Sequence, residues 1–276
     1  MKKIAIALLV LILLGIMIPA GFSSESDYVT VIYGEITENN PEYKDYVNEY
    51  FTQNAKINTQ NTNNKVITQK NVDDMLGSEV NESYLYGHIS SAVLLDLNGL
   101  KDLKVIVDSS KITSVSPEMY ESALRSAGIT KGIVYLTSPF EVTGDVELAG
   151  MLDAYESLTN IEIPASVKKA ANMEIFTQAE IVENSNVSAE NVTGLVSVCK
   201  KNMEGENVTP EAIERIIDNY TGENNLTISN HYKSKLANAL FSVHSVQSDV
   251  ELYKMRLTRV LEASTISQYS LYNIFS

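Results

Sequence analysis

The sequence predicts an α+β fold: a mixed sheet covered by helices, followed by an all-helical C-terminal region. Three observations carry this. β-branched and aromatic runs alternate with helical periodicities over the first 160 residues, one turn signal joins two of those runs, and the strand signal disappears after Pro164.

The first strand is Tyr28 to Tyr33, Tyr-Val-Thr-Val-Ile-Tyr, whose side chains suit a pleated, half-buried surface. Glu42 to Phe51 places Tyr43, Tyr46, Val47, Tyr50 and Phe51 at helical spacing after Asn39, Asn40 and Pro41. Asn54 to Asn64 is rich in Asn, Gln and Thr with little to bury, which predicts a mobile surface loop before a short strand at Lys65 to Thr68. Ser91 to Leu97 and Leu103 to Asp108 read as two strands, and Asn98-Gly99 between them tolerates the positive φ of a tight turn, so an antiparallel hairpin is expected. Ser116 as N-cap, Pro117 in the first turn and Gly128 at the end bracket a helix with Met119, Tyr120, Ala123, Leu124 and Ala127 on one face. Gly132 to Thr137 is the next strand, and a helix from about Gly144 carries Leu148, Leu152 and Tyr155.

Helical periodicity then runs through Val167 to Ile181, Pro210 to Tyr220 and Tyr232 to Leu261, the last breaking near Ser245 into a helical hairpin. Val246, Val250, Tyr253, Leu257 and Val260 form a seam expected to pack on the same chain. The apolar tail Tyr269, Leu271, Tyr272, Ile274 and Phe275 is expected to dock within the molecule. The organisation read from these signals is 1–23 signal peptide or anchor, 24–160 α+β domain, and 161–276 helical region.

Lys2 and Lys3 precede an apolar run from Ile4 to Ile18, and Pro19-Ala20-Gly21-Phe22 leads into Ser23, Ser24, Glu25 and Ser26. A charged start, an apolar core and a small-residue exit are the parts of an export signal, cleaved near Phe22 to Ser24; the alternative is a short N-terminal anchor. Either way the expected location is extracytoplasmic, secreted or envelope-associated, because positive flanks stay on the cytoplasmic side. Removing residues 1–23 deletes two lysines and no acid, leaving 19 basic against 35 acidic side chains, a net charge of −16. So acidic a body is not built for nucleic acid or anionic membranes, which attract clustered Lys and Arg, and the expected membrane contact is through the N-terminal segment alone. Cys199 is the single cysteine, so no intrachain disulfide forms, and its apolar setting suits a small buried side chain better than a nucleophile.

His88, His231 and His244 are far apart and none belongs to a His-Glu-x-x-His pattern; no phosphate-binding glycine loop, nucleophile elbow or calcium loop appears. No cofactor is expected. Asp73, Asp74, Glu141, Asp145, Glu147 and Asp153 offer carboxylates for acid–base work, and Ser166 and Lys169, like Ser197 and Lys200, fit Ser-x-x-Lys. The missing Lys-Thr-Gly companion makes Ser166 better read as a helix cap. Asn81, Asn186, Asn191, Asn207, Asn219 and Asn225 sit in Asn-x-Ser/Thr sequons, sites of N-glycosylation if the host performs it.

Glu118-Met119-Tyr120, Ala123-Leu124, Ala127-Gly128 and the run from Val134 through Thr137-Ser138-Pro139-Phe140-Glu141 to Gly144 continue into Leu148, Ala154-Tyr155-Glu156, Val167-Lys168 and Ala171-Asn172. Over Pro117 to Glu180 this pattern resembles the YpuA-like family (domain of unknown function family 1002), uncharacterised extracytoplasmic proteins. Tyr84-Leu85 and Ile89-Ser90 form a weaker upstream match, while Val93-Leu94-Leu95-Asp96 stands where a small-residue and basic segment is expected. The resemblance implies an exported envelope-associated protein and brings no reaction with it. Residue by residue, Ser138, Pro139, Phe140 and Glu141 form a strand-to-helix connection that either sets local geometry or serves as a binding loop. The function expected is a non-enzymatic binding or structural module for an envelope component or another exported protein; the alternative is an extracytoplasmic hydrolase using carboxylates or Ser166 and Lys169.

Overall fold

The structure, a computed structural model, describes residues 28–76, 89–203 and 208–275, with side chains as far as Glu262. The export segment, His88, the sequons at Asn81 and Asn207, and the side chains of the C-terminal tail lie outside the described residues. Five strands form one sheet: β1 (Val29–Gly34), β2 (Asn63–Ile67), β3 (Ala92–Asp96), β4 (Lys104–Val107) and β5 (Ile133–Thr137). Ten α-helices accompany them among the described residues: α1 (Glu35–Asn39), α2 (Pro41–Asn54), α3 (Gln69–Leu76), α4 (Pro117–Ser126), α5 (Glu147–Thr159), α6 (Ala165–Asn184), α7 (Ala189–Asn202), α8 (Pro210–Glu223), α9 (Asn230–Ser245) and α10 (Gln247–Phe275). The α+β reading holds, with every helix after α5 belonging to the all-helical part.

The strand order is β2-β1-β3-β5-β4, with β1–β2 and β4–β5 parallel and the two central pairings antiparallel. The expected hairpin between Ser91 to Leu97 and Leu103 to Asp108 does not form. Gly99 does take the positive φ of 67° that the turn signal requires, but β5 lies between the two strands and pairs with both. The reason is the connection β4–α4–β5: a helix returns the chain for a parallel pairing, and β5 then fills the place beside β3 that a hairpin partner would take.

Register sorts the side chains into two faces. Val31, Leu94, Tyr135 and Ile106 align across four strands and meet α2 through Val47 and Phe51. Their neighbours Ile32, Val93, Leu136 and Val107 align on the opposite face, where α4 and α5 pack. Period-2 alternation thus gives the sheet a small apolar layer on one side and a large one on the other. The large core is continuous from Ile32 through Tyr120, Leu152 and Ile175 to Leu240 and Leu261.

Helix α6 runs through the middle of the helical part and is buried on nearly all sides, including Asn172, Glu174, Thr177, Gln178 and Glu180. Such polar groups are tolerated inside only with partners. Asn172 and Thr177 donate to the carbonyls of Lys168 and Met173, while Glu174 and Glu180 pair with Lys200 and Lys235. Pro164, not Ser166, occupies the N-cap position of this helix; Ser166 is exposed and donates to Asp249 instead.

Asn54 to Asn64 is more structured than its composition suggests. Thr59 is buried in a 3-10 turn, and its carbonyl accepts from Thr62 and Asn64. The break after Ser245 is present, but it is a corner rather than a hairpin: α9 packs on α6 and α8, whereas α10 lies on α5 and beside Gly128. The α10 seam is Val250, Tyr253, Leu257 and Leu261, with Val260 turned outward at 38% exposure. A straight helix repeats every 3.6 residues, so the stripe drifts from the heptad position to Leu261.

Candidate functional site

Three arrangements carry chemistry. The first is the connection Ser138 to Gly144. Its end is set by Gly144 at φ 100°, where an added Cβ would lie 2.4 Å from Ile112 and 2.7 Å from the Tyr120 hydroxyl. Tyr120 donates to the Gly144 carbonyl, and Val142 pairs with the strand-like segment at Lys111 to Thr113 through 2.8 and 3.0 Å backbone bonds. Ser138 is fully buried with its hydroxyl 3.2 Å from that of Ser90. Thus anchored at both ends, the connection presents Phe140 at 38% exposure, edge-on to Tyr43 of α2 with ring centres 5.7 Å apart. Lys111 reaches the Pro139 carbonyl at 3.5 Å and lies over the ring of the exposed Tyr46 at 5.2 Å. Glu141 is exposed on the rim. Of the four loop residues, Ser138 is therefore internal and Phe140 and Glu141 face outward.

Directly beneath this connection lies a pair of buried carboxylates, Asp145 and Glu147. Thr143 donates to Asp145, yet one oxygen of each carboxylate is without a hydrogen-bond partner. Burial pushes the Glu147 carboxyl up to about 7, the charge on Asp145 pushes the same way, and a hydrogen bond from Ser91 opposes them. Asp145 is raised too, by burial first and against the Thr143 hydrogen bond. Glu180 and the raised Glu183 add negative charge nearby. Among the described residues no group of three or more His, Cys, Asp or Glu side chains is arranged to hold a metal ion. Glu141 and Asp153 do not join the pair in an open cleft: Glu141 is exposed and Asp153 half-buried on α5.

The third arrangement is a cavity of about 450 Å³ between α4, α7, α9 and the start of α10, lined by Ser122, Arg125, Ser126, Lys200, Met203, Val243, His244 and Gln247. Behind its floor Glu174 of α6 has no exposed surface. Lys200 donates to Glu174 at 2.6 Å and to the hydroxyls of Ser122 and Ser126 at 2.7 Å each. Those hydroxyls donate in turn to the two oxygens of Glu174 at 3.1 and 2.8 Å. With the Ser122 carbonyl at 3.2 Å, four acceptors surround the three ammonium hydrogens, so the network is closed and the lysine is a donor here rather than a base.

Lys200 thus works with serines from another helix. Ser197, its Ser-x-x-Lys neighbour, is exposed on α7, and Ser166 is occupied by Asp249. Ser122, Ser126 and Glu174 could not be picked from the sequence, since their only local signal is a helical spacing of four between the serines. Cys199 is fully buried next to Lys200 in the chain, and burial pushes its thiol up to about 12. The sequon residues Asn186, Asn219 and Asn225 are exposed, and Asn191 is half-buried on α7.

A family model described as a protein of unknown function (DUF1002) matches residues 33–260. The chain belongs to this family. As a DUF1002 protein it is 25% identical over 277 residues to the "Uncharacterized protein YpuA" of Bacillus subtilis (strain 168), a match covering 95% of this chain and 91% of that one. No solved structure matches the chain. All three arrangements lie within the span of the DUF1002 match, and Pro117 to Glu180 supplies α4, β5, the Ser138 to Gly144 connection, α5 and most of α6.

Proposed function

We propose that this DUF1002 protein is an exported, envelope-associated and non-enzymatic binding module that engages a cell-wall component through Phe140, Tyr43 and Tyr46. The observation that carries the binding role is the exposure of Phe140, 38%, on a connection pinned at both ends, and of Tyr46, 37%, on the helix beside it. Exposed aromatic rings on rigid backbone give large contact area with little ordering cost, which is what recognition surfaces use. Lys111, Glu141 and Asp45 supply a polar rim around them. Export is supported by the sequence of residues 2–26, and the acidic body speaks for a partner other than nucleic acid.

Carboxylate catalysis finds no support in the geometry, because Asp145 and Glu147 are shut away from solvent and Ser166 is tied to Asp249. The test is co-sedimentation with purified cell-wall material, using the chain and its Phe140→Ala/Tyr46→Ala variant. Retention should fall about tenfold or more in the variant while its unfolding midpoint stays close to the parent's. Equal retention of both proteins removes the aromatic face as the binding surface. For the export claim, a reporter fused at the C-terminus should be cut by protease added to intact wall-stripped cells; a protected reporter refutes it.

A further inference from the structure

The cavity-lining groups differ in how much of their hydrogen-bonding capacity is already used. Lys200, Ser122 and Ser126 are satisfied through Glu174, and that carboxylate is hidden behind them. Arg125 is exposed at the rim and makes no side-chain hydrogen bond or close ion pair among the described residues; its charge helps, after Lys131, to hold the exposed Asp102 carboxyl down. His244 is half-buried on α9, with neither ring nitrogen bonded among the described residues, and Gln247 spends one amide hydrogen on the Val243 carbonyl at 3.1 Å. Met203 and Val243 supply apolar wall.

The lining therefore holds an arginine, a lysine and a histidine and no carboxylate, in a chain whose formal charge is −14. The Lys200 charge is balanced by Glu174 behind it, so the group that marks this concave space of ligand size as an anion site is Arg125 at the mouth, with the ring nitrogens of His244 and the amide of Gln247 as further polar partners. The guanidinium fork suits a planar or tetrahedral oxyanion, and His244 and Gln247 line the same cavity. A bare ion would leave the apolar wall unfilled.

We propose that this cavity binds a small molecule or terminal group bearing a phosphate or carboxylate on a short apolar stem. The oxyanion is held by Arg125 and His244 at the mouth, and the stem lies on Met203 and Val243. The closed Lys200–Glu174–serine network is a rigid floor that keeps α4, α6 and α7 at the spacing the cavity needs. The site is separate from the Phe140 face and stands or falls apart from it.

Calorimetric titration of the full chain with hexyl phosphate, inorganic phosphate and hexanol tests the proposal. Hexyl phosphate should bind about tenfold or more tighter than either of the others, because only it fills both parts of the site. Arg125→Gln, at an exposed position that leaves the fold intact, should weaken hexyl phosphate about tenfold, and His244→Gln should weaken it as well. Phosphatidylcholine vesicles with and without phosphatidic acid form a separate arm. Arg125-dependent binding to the phosphatidic acid vesicles assigns the phosphate to a lipid headgroup; binding of the soluble probe alone assigns it to a free molecule. Hexyl phosphate binding no tighter than hexanol, or binding that Arg125→Gln leaves unchanged, overturns the assignment.

Discussion

Glu147 makes the stability of this protein fall as the medium becomes less acidic, and the size of the effect can be worked from its surroundings. The carboxyl ionises near 4.5 in the unfolded chain and near 7 in the folded one, where burial and the Asp145 charge both disfavour the anion. An acid raised by folding gives up its proton first in the unfolded state, so stability is full below pH 4.5 and is lost as pH rises through about 7. At about 1.4 kcal/mol per tenfold change in proton affinity, the whole loss is about 3 kcal/mol. The protein's pI of about 4.7 makes acid measurements prone to precipitation, so the useful window is pH 5.5 to 8, over which about 2 kcal/mol should disappear. Urea unfolding followed by circular dichroism across that window measures it. Glu147→Gln removes this titration and should make the curve shallower, whatever its absolute stability; Asp145 and Glu183, both raised by burial first, keep slopes of the same sign, so the difference between the two curves is what reports Glu147. If the variant keeps the parent's slope, Glu147 is ionised in the folded protein and the reasoning fails.

Lys200→Met strands the fully buried Glu174 carboxylate among Ser122, Ser126 and Gln178, and should cost about 3–5 kcal/mol in urea unfolding; Lys200→Met with Glu174→Gln should recover much of it, since no buried charge is left unpaired. Equal instability of the single and double variants would mean that packing rather than charge is at stake. Gly144→Ala meets Ile112 and Tyr120 at distances no real Cβ shows and at a φ of 100°, so a loss of about 2–4 kcal/mol is expected in urea unfolding, against about 1 kcal/mol for Gly99→Ala, which meets nothing within 4 Å and carries only the strain of its positive φ. The Cys199 thiol should stay unreactive toward a thiol-exchange reagent at pH 8 in the native protein and react on adding urea; rapid native labelling would show that it is neither buried nor raised to about 12.

Legibility in the sequence followed the range of the interactions involved. The helix Pro117–Ser126 is legible at both ends, to the residue at its start, because Ser116, Pro117 and Gly128 act on their own neighbours, and the Ser116 hydroxyl accepts from Met119. The β3–β4 hairpin is not decidable from Asn98-Gly99, because a turn signal reports the local bend and not the strand that later fills the gap. Helix α7 carries a weaker signal: Val192, Leu195, Val196 and Cys199 follow helical spacing, but Asn, Ser and Thr dilute the pattern. The loop from Ser138 to Glu141 could be located in advance, whereas the exposure of Phe140 depends on Tyr43, about a hundred residues earlier. The cavity was invisible for the same reason, its lining coming from α4, α7, α9 and α10.

The two outward-facing features and the buried acids share one frame. Tyr120 of α4 fixes Gly144 and so the base of the Phe140 connection, while two turns of the same helix carry Ser122, Arg125 and Ser126 to the cavity. Burial raises the Tyr120 hydroxyl well above its ordinary range, and Glu147 and Asp145 push the same way, so this tyrosine stays a neutral donor to the Gly144 carbonyl. Helix α4 is accordingly the element whose placement both sites depend on, and α6 sets that placement by holding Glu174 against its two serines. A shift of α4 along α6 would move the aromatic connection and the cavity mouth together. Breaking the Glu174 network should therefore weaken wall retention and hexyl phosphate binding in one variant, whereas Phe140→Ala and Arg125→Gln should each affect one alone.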